Sequence, residues 1–429
     1  MKFSKHKLGE LLSVTRGASL PGTGYADEGR YLRLTLANFH EEGGFKYFKS
    51  TQGKYFVDSF DIRFLMHKGD LITPLTEQSP GLLGSVAFIP SDDLYIQSQD
   101  VGLITCNSEK LDKRFAYYLF LTKSVREQIS ARSQQTKIRH TSPDKIADVE
   151  VYLPDLPTQL RIAAILGSID EKIELNRKKI AELEALAKTI YDYWFVQFDF
   201  PDKNGKPYKS SGGKMIWNEQ LKREIPEGWE EWSIHKSGSF HRGISYSKQD
   251  EITKGLNSVS VYRGNNISNG FVVDDSNEVF IPKNMVAESH MLQRGQVLIA
   301  MSSGSKEHVG KTGLVTNTCP NCAFGAFCTA FEPIDEYKFL IYDFFRSSTY
   351  RAYINQICSG TGINNLKFEH FETALFAVPG DQEILKSFNA IQEPLYNQIM
   401  RLDEESSILK NTRNYLLPLL MNGQVEVKE

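Results

Sequence analysis

The feature that most constrains this chain is a four–three apolar seam that occurs twice. In residues 158–194 the seam runs through Ile162, Leu166, Ile169, Ile173, Asn176, Ile180, Leu183, Ala187, Ile190 and Trp194. A second stretch carries Ile384, Phe388, Ile391, Leu395, Gln398, Leu402, Glu405, Leu409, Thr412 and Leu416, each 222 positions after its partner. Such a repeat, sustained well past the length of an ordinary globular helix and without a good stop signal, predicts long helices that pair along the seam. An amide occupies the same slot in both stretches, Asn176 and Gln398, as buried polar residues do when they set register. The second seam is poorer: Glu405 and Thr412 also lie in it, and Pro394 removes one backbone donor and predicts a kink. Two such helices in one chain, each following a globular segment, pair most simply antiparallel with each other.

The segments before the helices repeat more loosely. The run from His67 through Gly69 and Asp70 to Ile72 matches the run from Gln293 through Gly295 and Gln296 to Leu298, 226 positions later. Tyr31, Leu32 and Arg33 leading to Asn38 match Tyr262 and Arg263 leading to Asn266. Residues 133–154 lie over residues 358–379, so that Thr136 meets Thr361 and Ile138 meets Ile363. Each half reads as a globular domain, a closing strand (149–153 and 374–378), a proline and a long helix. Alternating runs such as 84–89 and 313–315, set between Gly, Pro, Ser and Asn, read as strands. A helix is expected near residues 113–131, with a counterpart near 337–357. The fold class is α+β, with a pseudo-two-fold internal repeat and an antiparallel coiled coil. Between the halves, residues 202–214 carry four lysines, Pro207 and three glycines, the composition of a solvated linker.

Composition agrees with this plan. A length of 429 residues corresponds to two or three domains at about 150 residues each. Hydrophobic content of 41% and charged content of 24% suit a chain with ample core. No run approaches the roughly 18 apolar residues of a membrane span, and the first residues lack the apolar core of a signal peptide. Five cysteines point to a reducing cytoplasm. Fifty basic against 53 acidic residues, a net charge of −3, exclude a uniformly basic nucleic-acid binder but leave room for local basic surfaces.

Several motifs carry a family resemblance. The run Pro154, Gln159, Ile162, Ala163, Ile165, Leu166, Ile169 and Asp170, and its exit from Tyr193 and Trp194 to Phe200 and Pro201, resemble the central spacer region of the specificity subunit of type I restriction-modification systems. Glu224, Ile225, Pro226, Glu227, Gly228 and Trp229 resemble that family's usual entry to its second recognition domain. Leu416 and Leu417 through Pro418 to Asn422 and Gly423 resemble its terminal signature. The resemblance covers essentially the whole chain through order, spacing and duplication.

The resemblance implies a non-catalytic recognition and scaffold subunit in the cytoplasm. Its organisation would be a first target recognition domain over residues 1–154, a spacer helix over 155–200 and a linker over 201–215. A second target recognition domain over 216–379, a second spacer helix over 380–423 and a tail over 424–429 would follow. Each domain would read one half of a split, asymmetric double-stranded DNA target. Two methyltransferase subunits would dock on the helices, joined by restriction/translocase subunits in the full complex. No cofactor is expected on this chain; S-adenosylmethionine, ATP and Mg belong to the partners. The 32 steps from Ile162 to Trp194 span roughly 48 Å at about 1.5 Å each. That exceeds the roughly 34 Å of one duplex turn, enough to separate two half-sites.

Base reading needs Arg, Lys, Asn, Gln, Ser or Thr side chains at groove edges. Three kinds of segment qualify. The first holds Arg132, Lys137, Arg139 and His140, and in the other half Asn364, Asn365 and Lys367, with Gly360 and Gly362 nearby. The second holds Thr73, Thr76, Gln78 and Ser79, and in the other half Ser302, Ser303, Lys306, His308 and Lys311. The third pairs Arg33 and Asn38 with Arg263, Asn265 and Asn266.

Other motifs lead elsewhere. Residues 305–312 nearly form a phosphate-binding loop, but Gly304 lies one residue too far upstream and a strand, not a helix, is expected to follow. Cys319 and Cys322 lack a second closely spaced ligand pair, so no metal is expected and the cysteines read as buried or idle thiols. The Asn/Asp-Pro-Pro-aromatic tetrapeptide that resembles adenine methyltransferases is absent.

Overall fold

The computed structural model describes residues 2–48, 50–78, 81–133, 139–273, 278–317, 321–358 and 365–427. The chain divides into two compact units, one of residues 1–173 with 409–429 and one of residues 174–408. No helix among the described residues is long and apolar enough to cross a membrane.

In the first unit a four-stranded antiparallel sheet runs in the order Leu12–Arg16, Val101–Cys106, Leu71–Pro74, Ala87–Phe88. A smaller sheet contains Tyr31–Arg33, which pairs parallel with Tyr95–Ile96 and antiparallel with Tyr55–Phe56. The closing strand Glu150–Leu153 pairs antiparallel with Ser4–Lys7. The expected helix is two helices, Lys113–Leu121 and Lys123–Arg132, because Thr122 between them is extended. Its hydroxyl donates to the Leu119 carbonyl at 2.7 Å, the local competition by which a hydroxyl residue ends a helix. Phe115, Phe120, Val125 and Ile129 share one core with Leu71, Ile104, Ile162, Leu166, Leu420 and Met421. The globular body and the helix segments of this unit are therefore joined by continuous apolar packing.

The second unit repeats this plan. Gly238–Arg242, Cys328–Pro333, Val297–Ala300 and Thr312–Leu314 form the matching antiparallel run, extended by Phe271–Val272 and Ile267–Ser268. Ser258–Tyr262 pairs parallel with Cys322–Phe324 and antiparallel with Phe280–Pro282. Leu375–Pro379 closes on Trp229–Ser233. Ser347, extended like Thr122, separates Lys338–Arg346 from Ser348–Ile357. The matched glycine turns have one geometry. Gly69 and Gly295 have φ of 85° and 90°, the left-handed region that favours glycine. His67 N–H donates to Asp70 Oδ2 at 2.8 Å, and Gln293 N–H to Gln296 Oε1 at 3.0 Å. Gly69 N–H donates to the Ile89 carbonyl and Gly295 N–H to the Val315 carbonyl, each at 2.9 Å. Residues 201–214 are turns, with Phe200 stacked on Tyr208.

The long helices are Leu156–Tyr191 and Gln382–Met421, the second continuing through Pro394. Every predicted seam position of the first is buried or half-buried. Within the second unit the helices run antiparallel: Asn176 meets Leu402, Glu405 and Ser406, Ala187 meets Gln392, and Trp194 meets Phe388.

The second helix departs from its predicted seam. Ile391 is 41% exposed and Thr412 is exposed, whereas Leu385, Gln392, Tyr396, Ile399 and Ser406 are buried. The deeply buried amide is Gln392, which donates to the Ala187 carbonyl at 3.0 Å, and not Gln398. The cause is a third packing partner. Tyr396 stacks against Phe339 and touches Tyr342 of the globular body, turning the buried face towards it.

Candidate nucleic-acid interface

The candidate loops are organised in each unit by one turn. In the first unit Ala18 N–H donates to the Gln97 carbonyl at 3.0 Å, and Leu75 N–H to the Asp100 carbonyl at 2.8 Å. In the second, Ile244 N–H donates to the Phe324 carbonyl at 2.8 Å, and Met301 N–H to the Phe327 carbonyl at 2.9 Å. Close backbone approach makes these crossings possible. A Cβ at Gly17 would lie 2.4 Å from the Gln97 carbonyl oxygen, and one at Gly243 would lie 2.2 Å from that of Gly325.

The first and second kinds of segment come together in both units. Thr76 and Glu77 pair as a strand with His140 and Arg139, and Ser302 forms a bridge with Asn365. Arg139 meets the Glu77 carboxylate at 2.8 Å and donates to the Ser130 and Ser133 hydroxyls at 2.7 and 2.8 Å. Glu77, 1% exposed, also accepts from the backbone of Gly81, Leu82 and Leu83. Arg139 thus ties a loop base together, with its charge matched by a buried carboxylate. Sequence reasoning missed Glu77; its one signal was an acid ahead of a glycine in an otherwise polar loop.

The third kind of segment is also duplicated. The Arg33 guanidinium donates to the Tyr25 hydroxyl at 2.8 Å and lies 4.0 Å from that ring's centroid. Arg263 hydrogen-bonds the phenol of Tyr246, whose pKa is raised by burial against the opposing pull of that arginine. Neither tyrosine was singled out from sequence. Asn38 and Asn266 are corrected from base readers to structural residues. Both are buried; their side chains accept from Thr35 and Arg263 N–H and donate to the Lys46 and Val273 carbonyls. Buried polar groups are held this way because an unmade bond there is costly.

Other candidates have similar inward tasks. Thr73 is buried and donates to the Ser85 carbonyl at 2.9 Å, and Thr76 is buried in its strand pair. Arg132 reaches Gln128 on its own helix. Lys311 donates to the Ile267 carbonyl, and Thr312 opens a strand, so residues 305–312 do not have the strand–loop–helix form of a phosphate-binding loop. Gln78, His140, Asn265, Lys306, His308, Asn365 and Lys367 are exposed, and Ser302 and Ser303 half-buried. Ser79, Lys137 and Asn364, with Gly360 and Gly362, lie outside the described residues, as do the Thr136–Thr361 and Ile138–Ile363 matches and Cys319. Cys106, Cys328 and Cys358 are free thiols, but Cys322 is disulfide-bonded and so is not the idle thiol expected.

The profile of the type I restriction modification DNA specificity domain matches residues 3–185. The specificity subunit of the type I restriction enzyme StySPI from Salmonella potsdam is 33% identical over 209 residues, 47% of this chain. That match spans 44% of the relative's length. The MjaIX specificity subunit from Methanocaldococcus jannaschii is 25% identical over 318 residues, 73% of this chain and 69% of the relative. In fold, the chain is similar to the crystal structure of the type I restriction-modification S subunit from M. genitalium, with a TM-score of 0.55 and 17% identity, covering 98% of this chain and 96% of the other. Residues 3–185 thus match a type I restriction modification DNA specificity domain, and the chain is similar in sequence to type I restriction enzyme specificity subunits, spanning less than half the length of the first of these relatives.

Proposed function

We propose that this chain is the DNA sequence-specificity subunit of a type I restriction-modification complex, reading a bipartite, asymmetric double-stranded target. The observation that carries the reading is the duplicated turn: in each unit it organises polar loops on one sheet scaffold, while the residues in those loops differ. A shared scaffold with different side chains suits two readers of two different half-sites. The exposed amide, hydroxyl, imidazole and ammonium groups of Gln78, His140, Asn265, Lys306, His308, Asn365 and Lys367 are of the types that contact base edges and phosphates.

In this role the chain has no catalysis of its own and acts in the cytoplasm. Two adenine-methyltransferase subunits dock on it, and restriction/translocase subunits join in the full complex. S-adenosylmethionine, ATP and Mg are bound by those partners. The long helices act as the spacer, so changing their length alters the gap between half-sites.

The test is to assemble the chain with its methyltransferase subunits and sequence the methylated adenines on a random duplex pool. A split, non-palindromic motif is expected. Exchanging residues 1–150 for those of a relative should change only one half of it. Methylation without sequence preference, or a change in both halves, would overturn the proposal.

A further inference from the structure

Phe327 sits in the organising turn of the second unit and is 70% exposed. Its carbonyl accepts from Met301 N–H at 2.9 Å and Ser302 N–H at 3.3 Å, and Ser302 bridges to Asn365. Two residues earlier, Gly325 lies against the other candidate segment: a Cβ there would contact Tyr246 Cε1 at 3.6 Å and Arg263 Cγ at 3.8 Å. The turn therefore links the segments bearing Arg263, Ser302 and Asn365, and it holds a large apolar ring in water beside them. Leaving that ring uncovered forgoes the burial that ordinarily stabilises an aromatic side chain.

The other unit shows which part of this position the fold needs. Asp100 occupies the corresponding place, its carbonyl accepting from Leu75 N–H at 2.8 Å as Phe327 does from Met301. The backbone bond is common to both; the side chain is an aromatic ring in one and a carboxylate in the other. The scaffold requires only the carbonyl, so the side chain is free to differ between the half-sites being read.

We infer that Phe327 is a specificity-determining residue of the second domain, making an apolar contact to the 5-methyl group of a thymine. The inference rests on the proposed DNA-reading function. Serine and asparagine beside it suit hydrogen-bonding base edges, and the major groove edge of thymine is where a methyl group is presented next to such edges. A carboxylate at Asp100 suits a different feature, since it accepts a hydrogen bond and gains nothing from a methyl group.

The experiment uses the full chain assembled with its methyltransferase subunits, once the methylated motif is mapped. Duplexes are made in which each thymine of each half-site is replaced by uracil, which lacks only the methyl group. Binding by the wild-type complex should weaken about four-fold at one thymine in the half-site read by residues 216–379, the value of one buried methyl group. Phe327→Ala should bind the thymine duplex more weakly and show no difference between thymine and uracil there. Phe327→Leu should restore part of the discrimination, and both variants should keep the wild-type melting midpoint. Unchanged thymine–uracil discrimination in Phe327→Ala, equal losses in both half-sites, or a second half-site without thymine would each overturn the inference. A complex that methylates no specific sequence would instead overturn the DNA-reading function itself.

Discussion

The Arg413 guanidinium donates to the Asp170 carboxylate at 2.9 Å. The same carboxylate accepts from the Tyr118 hydroxyl at 2.7 Å, so one acid joins both long helices to the globular body of the first unit. Arg413 and Asp170 are 15% and 26% exposed in their side chains. Asp170→Ala leaves a shielded cation without its partner and should destabilise the chain by about 3 kcal/mol. Tyr118→Phe removes one bond to a charged group and should cost about 2 kcal/mol. Urea unfolding of the full chain and the two variants checks both values.

Burial pushes the Asp343 carboxyl up to about 7, opposed by the Tyr396 hydroxyl bond and by Arg346 and Lys188, and reinforced by Asp192. Tyr396 donates to it at 2.5 Å. Because the folded pKa lies above the unfolded value of 3.8, folding favours the protonated acid. The associated stability is present below about pH 4 and is lost as pH rises through about 7. Asp343→Asn stays neutral and can still accept from Tyr396. The stability of the variant relative to wild type should therefore rise from pH 5 to pH 8, by denaturant titration at each pH; a constant difference would contradict this reading.

Gly17 and Gly243 admit no side chain without displacing the crossing backbone. Gly243→Ala should destabilise the second unit by about 3 kcal/mol, the range of strongly disruptive backbone or packing changes. It should also weaken binding to the second half-site more than to the first. Gly17→Ala should do the reverse. Binding to duplexes scrambled in one half-site at a time separates the two effects.

Lys306 is exposed, and its backbone carbonyl accepts from the Arg351 guanidinium at 3.0 Å. If its ammonium neutralises a phosphate, Lys306→Ala should lower the slope of log affinity against log salt by about 1 and weaken binding similarly across sequences. Titrations at several salt concentrations read the slope directly. An unchanged slope removes Lys306 from the phosphate contacts.

Much of the architecture is legible before folding. The 222-residue offset of the seams and the 226-residue match of the glycine turns reflect local periodicity and backbone demands, which neighbouring residues largely dictate. The break at Thr122 was hidden because the apolar pattern continues across it. The place of the seam on the second helix was hidden for another reason: a two-helix repeat omits Phe339 and Tyr342, which pack against Tyr396.

The candidate site divides along the same line. By itself the sequence determined that the chain is duplicated, that each half ends in a long helix, and which loops carry polar and basic groups, since periodicity and composition are local properties. Only the tertiary structure decided which of those groups face inward. Asn38, Asn266, Thr73 and Arg139 are drawn into the fold because buried carbonyls, amides and a buried carboxylate must be satisfied. For Asn38, Asn266 and Thr73 the partner sits across a folded loop, and for Arg139 it is Glu77, on the strand paired with its own. The turn between the crossings leaves Phe327 exposed, a placement no local pattern encodes.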